Sequence, residues 1–94
     1  MPVQDVDQFL DMVKRTRLLK KYHLKKISLF GSFARGEKAD DIDIFIRDVK
    51  DYDSLIEFRK ELESLTQKRI DIMIDKYANP IVLYRASRDM IDVS

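Results

Sequence analysis

The sequence contains no cysteine and no tryptophan, a single histidine, and only two residues each of glycine and proline. Without cysteine the chain has neither a disulfide framework nor a thiolate site, and His23 alone cannot form a zinc centre with other histidines. No apolar stretch approaches the length that spans a membrane and no secretion signal is recognisable, so we expect a cytoplasmic protein without a membrane partner. Any metal site in this chain is therefore expected to use oxygen ligands.

The composition is that of a folded chain. Its 94 residues are 45% hydrophobic and 37% charged, which excludes disorder and predicts a single domain over residues 1–94. The net charge is only +1, yet basic residues cluster in the N-terminal part: Lys14, Arg15, Arg17, Lys20, Lys21, Lys25 and Lys26. This cluster suits an acidic partner, a nucleotide or RNA, although a solvated helix face is the simpler interpretation.

The spacing of apolar residues predicts helices that alternate with strands. We expect a helix over residues 4–22 and strands over 26–30, 41–47 and 70–74. A second helix is predicted to begin near Ser54, which has capping-box spacing to Glu57, and a last helix to run from Pro80 to about Arg88. Residues 90–93 would add a short edge strand. The predicted fold class is α/β (α+β), a small mixed sheet of three to four strands with helices packed mainly on one face.

A short motif, GSFARG, follows the first predicted strand directly at residues 31–36. Gly31 and Ser32 would open a short helix there, where backbone N–H groups and a hydroxyl suit the oxygens of a triphosphate. Gly31 would let the backbone approach the phosphates, and Ser32 would add a donor. Arg35, one helical turn further, would either reach a phosphate or brace the loop.

Aspartates alternate with isoleucines in the next two predicted strands. Asp41 and Asp43 leave the same face of the second strand, while the isoleucines enter the core. The third strand repeats this pattern and presents Asp71 and Asp75 on its open face. Three carboxylates on one face would repel each other unless a divalent cation compensates, so we predict a site for Mg²⁺ or Mn²⁺.

Taken in this order, Gly-Ser, Ala-Arg-Gly and Asp-Ile-Asp resemble the signature of the minimal nucleotidyltransferases, within the DNA polymerase β-like superfamily. The resemblance covers nearly the whole chain and rests on the joint motif, since each part alone is common. It implies a nucleotidyltransferase fold, ATP as substrate, and two metal ions held by Asp41, Asp43 and Asp71. In the family the third carboxylate occupies a strand position like that of Asp71, so we favour Asp71 over Asp75.

The resemblance also implies a biological role. Minimal members of the family are often paired with a HEPN-domain ribonuclease toxin, which they inactivate by transferring AMP to a tyrosine. We therefore expect an ATP-dependent protein adenylyltransferase that acts as an antitoxin. The alternative is a non-catalytic, nucleotide-binding antitoxin that inhibits its partner by occlusion. A small-molecule transferase and an RNA-binding protein are weaker candidates, and homo-oligomerisation is left open.

Two features depart from the family pattern. The stretch between Gly36 and Asp41 is shorter than usual, and Asp40 stands where a serine commonly precedes the carboxylate pair. A shorter loop would tilt the phosphate cradle relative to the metals, so nucleotide binding is a firmer prediction than catalysis. We assign no catalytic role to His23, which resembles a helix-capping residue.

Overall fold

The computed structural model of the protein describes residues 3–94, which form a four-stranded mixed sheet and five α-helices. The helices are α1 (Val6–Thr16), α2 (Leu18–Lys21), α3 (Gly31–Ala34), α4 (Tyr52–Thr66) and α5 (Pro80–Ala86). The strands are β1 (Ile27–Phe30), β2 (Asp41–Ile46), β3 (Arg69–Ile74) and β4 (Ile91–Val93), and a 3₁₀ turn at Asp75–Tyr77 follows β3. This architecture confirms the predicted fold class.

The strands lie in the order β3-β2-β1-β4. β1 pairs antiparallel with both β2 and β4, whereas β2 and β3 run parallel and are joined through α4. A parallel pair requires such a long connection, because the chain leaves the end of the first strand and must return to the opposite end of the sheet before the second strand can begin. The acidic strands β2 and β3 are therefore direct neighbours, and the strand with the glycine motif at its end lies on the other side of β2.

One face of the sheet carries the core. The isoleucines of β2 and β3 that point to this face include fully buried Ile44 and Ile70, and they pack with residues of α1, α2 and α4. Phe9 and Phe58 supply the largest fully buried side chains from the helices. In contrast, α5 contributes no buried residue. None of the helices in residues 3–94 is long and apolar enough to cross a membrane.

The helices differ from the prediction in three details. The single helix expected over residues 4–22 is broken at Arg17, whose left-handed backbone (φ 52°) separates α1 from α2. The predicted capping box at Ser54 does not form, because α4 begins earlier and the Asp51 carboxylate accepts hydrogen bonds from the N–H groups of Asp53 and Ser54. The last helix has the predicted Asn79 cap but ends at Ala86.

Candidate active site

The glycine motif and the acidic strand meet at Gly31 and Asp43. Phe30, the last residue of β1, is paired with Asp43 of β2, and the chain then turns into α3 with Gly31 at φ 76°. A Cβ atom placed on Gly31 would overlap Oδ2 of Asp43 and would lie 3.3 Å from its Cγ. The Asp43 carboxylate therefore lies directly against the backbone at the turn, in space that a side chain at residue 31 would fill.

The pairing of β2 with β3 brings a second carboxylate to the same place. Asp71 is the direct register partner of Asp43, so their side chains leave the same face of neighbouring strands. Asp41 lies on that face as well, but its partner across the sheet is Arg69. Arg69 also approaches Asp71, with Nε 3.9 Å from Oδ1. The predicted third carboxylate Asp71 thus lies beside the Asp-x-Asp pair, whereas Asp75 lies beyond the strand in the 3₁₀ turn.

The electrostatics of Asp43 reflect this crowding. Its partial burial raises the pKa of the carboxyl above the ordinary value, and the charges of Asp71 and Asp41 raise the pKa further. Arg35 acts in the opposite direction. A carboxylate that is disfavoured as an anion by burial and by two like charges is a group that a bound cation would stabilise.

The donor set suits a hard divalent cation, because all three side chains offer carboxylate oxygens and leave room for water and phosphate ligands. Within residues 3–94, however, no three side chains of His, Cys, Asp or Glu lie close enough together to hold a metal ion between them. The structure brings Asp41, Asp43 and Asp71 to one face without closing them into a coordination shell. Their role as metal ligands stays a prediction.

Arg35 is bound on three sides. Its Nη2 donates to Oγ of Ser32 (3.2 Å), its Nη1 donates to Oδ2 of Asp89 (3.1 Å), and its Nε donates to the Glu37 carboxylate. The hydrogen bonds from Arg35 to Glu37 and Asp89 raise the pKa of the guanidinium above its already high ordinary value. Since a guanidinium has five N–H donors, two are left for another acceptor. Arg35 thus braces the loop and still has donors available for a phosphate.

The sequence motifs did not reveal Asp89 or Glu37. Glu37 lies within the loop that follows the motif, and Asp89 lies in the turn after α5, where its N–H donates to the carbonyl of Ala86 (3.0 Å). No local pattern marks Asp89, because it reaches Arg35 only through the folding of a distant segment. A contact of this kind becomes visible only in three dimensions.

Two other features of the surface lie apart from these residues. A groove of about 350 Å³ between α4 and β3 is lined mainly by apolar side chains such as Leu55, Ile56 and Ile72, and it contains none of the predicted site residues. In the basic N-terminal cluster, three of the seven side chains pair with carboxylates: Arg15 with Asp11, Lys21 with Glu61 and Lys26 with Asp92. This pairing favours the interpretation of the cluster as a solvated surface.

Comparison with known proteins gives a consistent result. Residues 14–91 match the family model of the polymerase beta nucleotidyltransferase domain. A Methanocaldococcus jannaschii protein provisionally named a protein adenylyltransferase is 38% identical over 88 residues, which cover 85% of this chain and 88% of the relative. A second protein of the same provisional name and organism is 31% identical over 80 residues, or 81% of this chain and 86% of the relative.

Solved structures with a similar fold include members of toxin–antitoxin pairs. A chain of the toxin–antitoxin pair MntA-HpeT has a TM-score of 0.70 and 24% identity, covering 88% of this chain and 71% of that chain. A chain of a toxin–antitoxin structure with AMP-PNP has a TM-score of 0.66 and 25% identity, with coverage of 84% and 68%. A chain from a complex of MNT antitoxin with tri-AMPylated HEPN toxin from Shewanella oneidensis has a TM-score of 0.64 and 23% identity, with coverage of 93% and 71%.

Proposed function

The chain belongs to the polymerase beta family of nucleotidyltransferases, and we propose that it transfers AMP from ATP to a hydroxyl group of a partner protein. The observation that carries this proposal is the contact between Gly31 and Asp43, with Asp71 in register beside it. This contact joins the loop expected to hold the triphosphate to the carboxylates expected to bind the metals. The names of the two relatives support adenylyl transfer to protein.

Divalent cations, Mg²⁺ or Mn²⁺, would be held by Asp41, Asp43 and Asp71. Such ions, when bound, neutralise phosphate charge and lower the pKa of the acceptor hydroxyl. The acceptor oxygen attacks the α-phosphorus of ATP, the bond from this phosphorus to the oxygen that bridges to the β-phosphate breaks, and pyrophosphate leaves. The hydroxyl proton passes to the Asp71 carboxylate. Gly31 lets the backbone approach the β- and γ-phosphates, and the Ser32 hydroxyl donates to a phosphate oxygen.

The partner and acceptor form a further part of the proposal. The solved structures with a similar fold include an MNT antitoxin in complex with an AMPylated HEPN toxin, which supports a HEPN-domain toxin as the partner. We propose that the acceptor is a tyrosine of that toxin and that this chain acts as its antitoxin. We propose the cytoplasm as the compartment of the pair. The alternative is inhibition by occlusion, with nucleotide bound but no AMP transferred.

The proposal is tested by label transfer. The purified protein is incubated with Mg²⁺, ATP labelled at the α-phosphate, and the product of the adjacent gene, which the proposal requires to be a HEPN-domain protein. We expect label on the partner, and we expect Asp43→Asn to reduce it by about 100-fold or more, because the substitution removes a metal ligand. Asp75→Asn is the matched control, since Asp75 lies outside the carboxylate face, and it should retain the label.

Two other outcomes would contradict the proposal. Tight partner binding without label would reject transfer and favour occlusion. Equal label from wild type and from Asp43→Asn would show that this carboxylate binds no catalytic metal, which would overturn the assignment of the site.

A further inference from the structure

Arg35 connects the motif loop to a distant part of the chain. Its guanidinium contacts Ser32 on one side and Asp89 on the other, with distances of 3.2 and 3.1 Å. Both ends of the Arg35–Asp89 ion pair are partly shielded, with 41% of the Arg35 side chain and 32% of the Asp89 side chain exposed. The result is a chain of hydrogen bonds from the turn after α5, through Arg35, to the hydroxyl of Ser32.

The direction of these bonds determines what Ser32 can bind. A guanidinium is only a donor, so Oγ of Ser32 must accept from Arg35 and keeps its own proton for another partner. In the described part of the chain this hydroxyl makes no second hydrogen bond to a side chain. It is therefore held ready to donate, and phosphate oxygens accept such bonds. Donation from a cation also polarises the hydroxyl and strengthens the bond that it gives.

Asp89 and Glu37 both hold Arg35, but only Asp89 fixes it to the sheet. Glu37 is two residues from Arg35 and belongs to the same loop, so it can move with that loop. Asp89 lies two residues before β4, which pairs with β1 through Ile91 and Leu29. Because β1 leads into Gly31, the Asp89 carboxylate and the start of the motif are anchored to the same strand.

We propose that Asp89 is a positioning residue for the nucleotide: by holding Arg35 it orients the Ser32 hydroxyl toward the triphosphate. This inference rests on the proposed function of the site. Asp89 itself touches neither the phosphates nor the metals. Its effect therefore passes through Arg35 and disappears when Arg35 is absent.

Calorimetric titration with AMP-PNP and Mg²⁺ tests this inference. We expect Asp89→Asn to weaken AMP-PNP binding by about three- to tenfold, the range of one partly exposed charge-assisted hydrogen bond. Asp89→Glu, which keeps the charge, should restore most of the affinity. Asp92→Asn is the matched control. This substitution removes the same charge three residues away, but Asp92 accepts a hydrogen bond from the Ser28 hydroxyl (2.8 Å) instead of holding Arg35. Its affinity should equal that of the wild type.

A double-mutant cycle then shows whether the effect passes through Arg35. Asp89→Asn should add no further loss in a protein that already carries Arg35→Ala. The ¹⁵N NMR signal of the Arg35 guanidinium should also shift in Asp89→Asn without nucleotide, and it should be unchanged in Asp92→Asn.

The outcomes separate this inference from the proposed function. If the wild type binds no AMP-PNP, the proposed function falls and this inference falls with it. If the wild type binds and Asp89→Asn binds equally well, only the role of Asp89 is overturned. Equal losses from Asp89→Asn with and without Arg35 would overturn it as well, because the effect would then not pass through Arg35.

Discussion

The contact between Gly31 and Asp43 sets the distance between the motif loop and the carboxylates. Gly31 has a positive φ of 76°, and a Cβ there would also collide with the Asp43 carboxylate. Gly36 shares the positive φ (79°), but a Cβ there would meet no atom within 4 Å. A side chain at Gly36 would therefore cost only backbone strain, whereas a side chain at Gly31 would add a clash with the Asp43 carboxylate.

Alanine at each glycine should give different results. We expect Gly36→Ala to lower the free energy of unfolding by about 1 kcal/mol, from the left-handed backbone alone. Gly31→Ala should cost about 2 kcal/mol or more, because Asp43 must also move. Urea unfolding measures both values, and AMP-PNP titration should show lost binding only for Gly31→Ala. Equal effects on stability and binding would contradict a specific role for the Gly31 contact.

At the residue scale the sequence predicts which side chains share a face, but not which distant groups hold them. Alternation along the strands is enough to place Asp41, Asp43 and Asp71 on one face, since the period of a strand is fixed by its geometry. The anchor at Asp89 could not be predicted in this way. Its contact with Arg35 depends on where the turn after α5 comes to lie, which no local period encodes.

At the element scale the helix ends were the hardest features to predict. With two glycines in the chain, several turns use other residues in the left-handed backbone: Arg17, His23, Asp48 and Gln67. Helix ends are usually recognised in a sequence by glycine or proline. Neither residue marks the break at Arg17 or the end of α4, where Gln67 is the C-cap. The strands and the asparagine-proline start of α5 follow rules that local sequence does express.

Glu61 ties α2 to α4. Its carboxylate accepts hydrogen bonds from Nζ of Lys21 (2.8 Å) and from the hydroxyl of Tyr22 (2.7 Å). The hydrogen bond from Lys21 has the largest effect and that from Tyr22 the next largest, and together they hold the pKa of the Glu61 carboxyl below its ordinary value of 4.5. A carboxyl whose pKa is lowered by folding stabilises the native state above the unfolded pKa, and the stabilisation is lost as the pH falls through the folded pKa.

Glu61→Gln should therefore flatten the loss of stability on acidification below pH 4.5. The measurement is urea unfolding as a function of pH, from neutral pH into the acid range. Glu57→Gln is the matched control on the same helix, because among residues 3–94 Glu57 forms its one ion pair with the exposed Lys60, at 3.8 Å, and does not bridge to α2. It should keep the acid dependence of the wild type. An unchanged acid slope in Glu61→Gln would show that the tie to α2 contributes nothing to stability.

At the scale of the whole molecule, the α/β class and a mixed sheet are predictable, but the strand order is not. The alternation of aspartate and isoleucine brings Asp71 to Asp43 only if β2 and β3 are neighbours, and the structure shows that they pair in parallel. The place of β4 beside β1 and the exposure of α5 depend on long-range packing, to which three-residue strands and short helices contribute little signal.

Ligand binding should stabilise the whole fold. A ligand that binds only the native state at 100 times its Kd adds about 2.7 kcal/mol, which raises the Tm of a domain of this size by about 10 °C or more. We expect millimolar Mg²⁺ with ATP to produce such a shift in the wild type. An unchanged melting curve would count against the site.

Asp43→Asn provides the control for that shift. The variant should show no shift with Mg²⁺ and ATP, because the metal ligand is missing. Without ligand it should be at least as stable as the wild type, since burial and two neighbouring carboxylates disfavour the ionised Asp43. A variant that unfolds without ligand would make Asp43 a structural residue.

The parallel pairing of β2 with β3 also determines when, during synthesis, the carboxylates of the candidate site can come together. Antiparallel neighbours such as β1 and β2 can associate through a short connection, but β3 can dock only after the whole of α4 has crossed back over the sheet. Asp71 therefore comes to lie beside Asp43 only when β3 has docked on β2. A chain in which β3 has not yet docked has the motif loop but lacks Asp71 beside Asp43, so under the proposed function we expect no AMP transfer before β3 is in place.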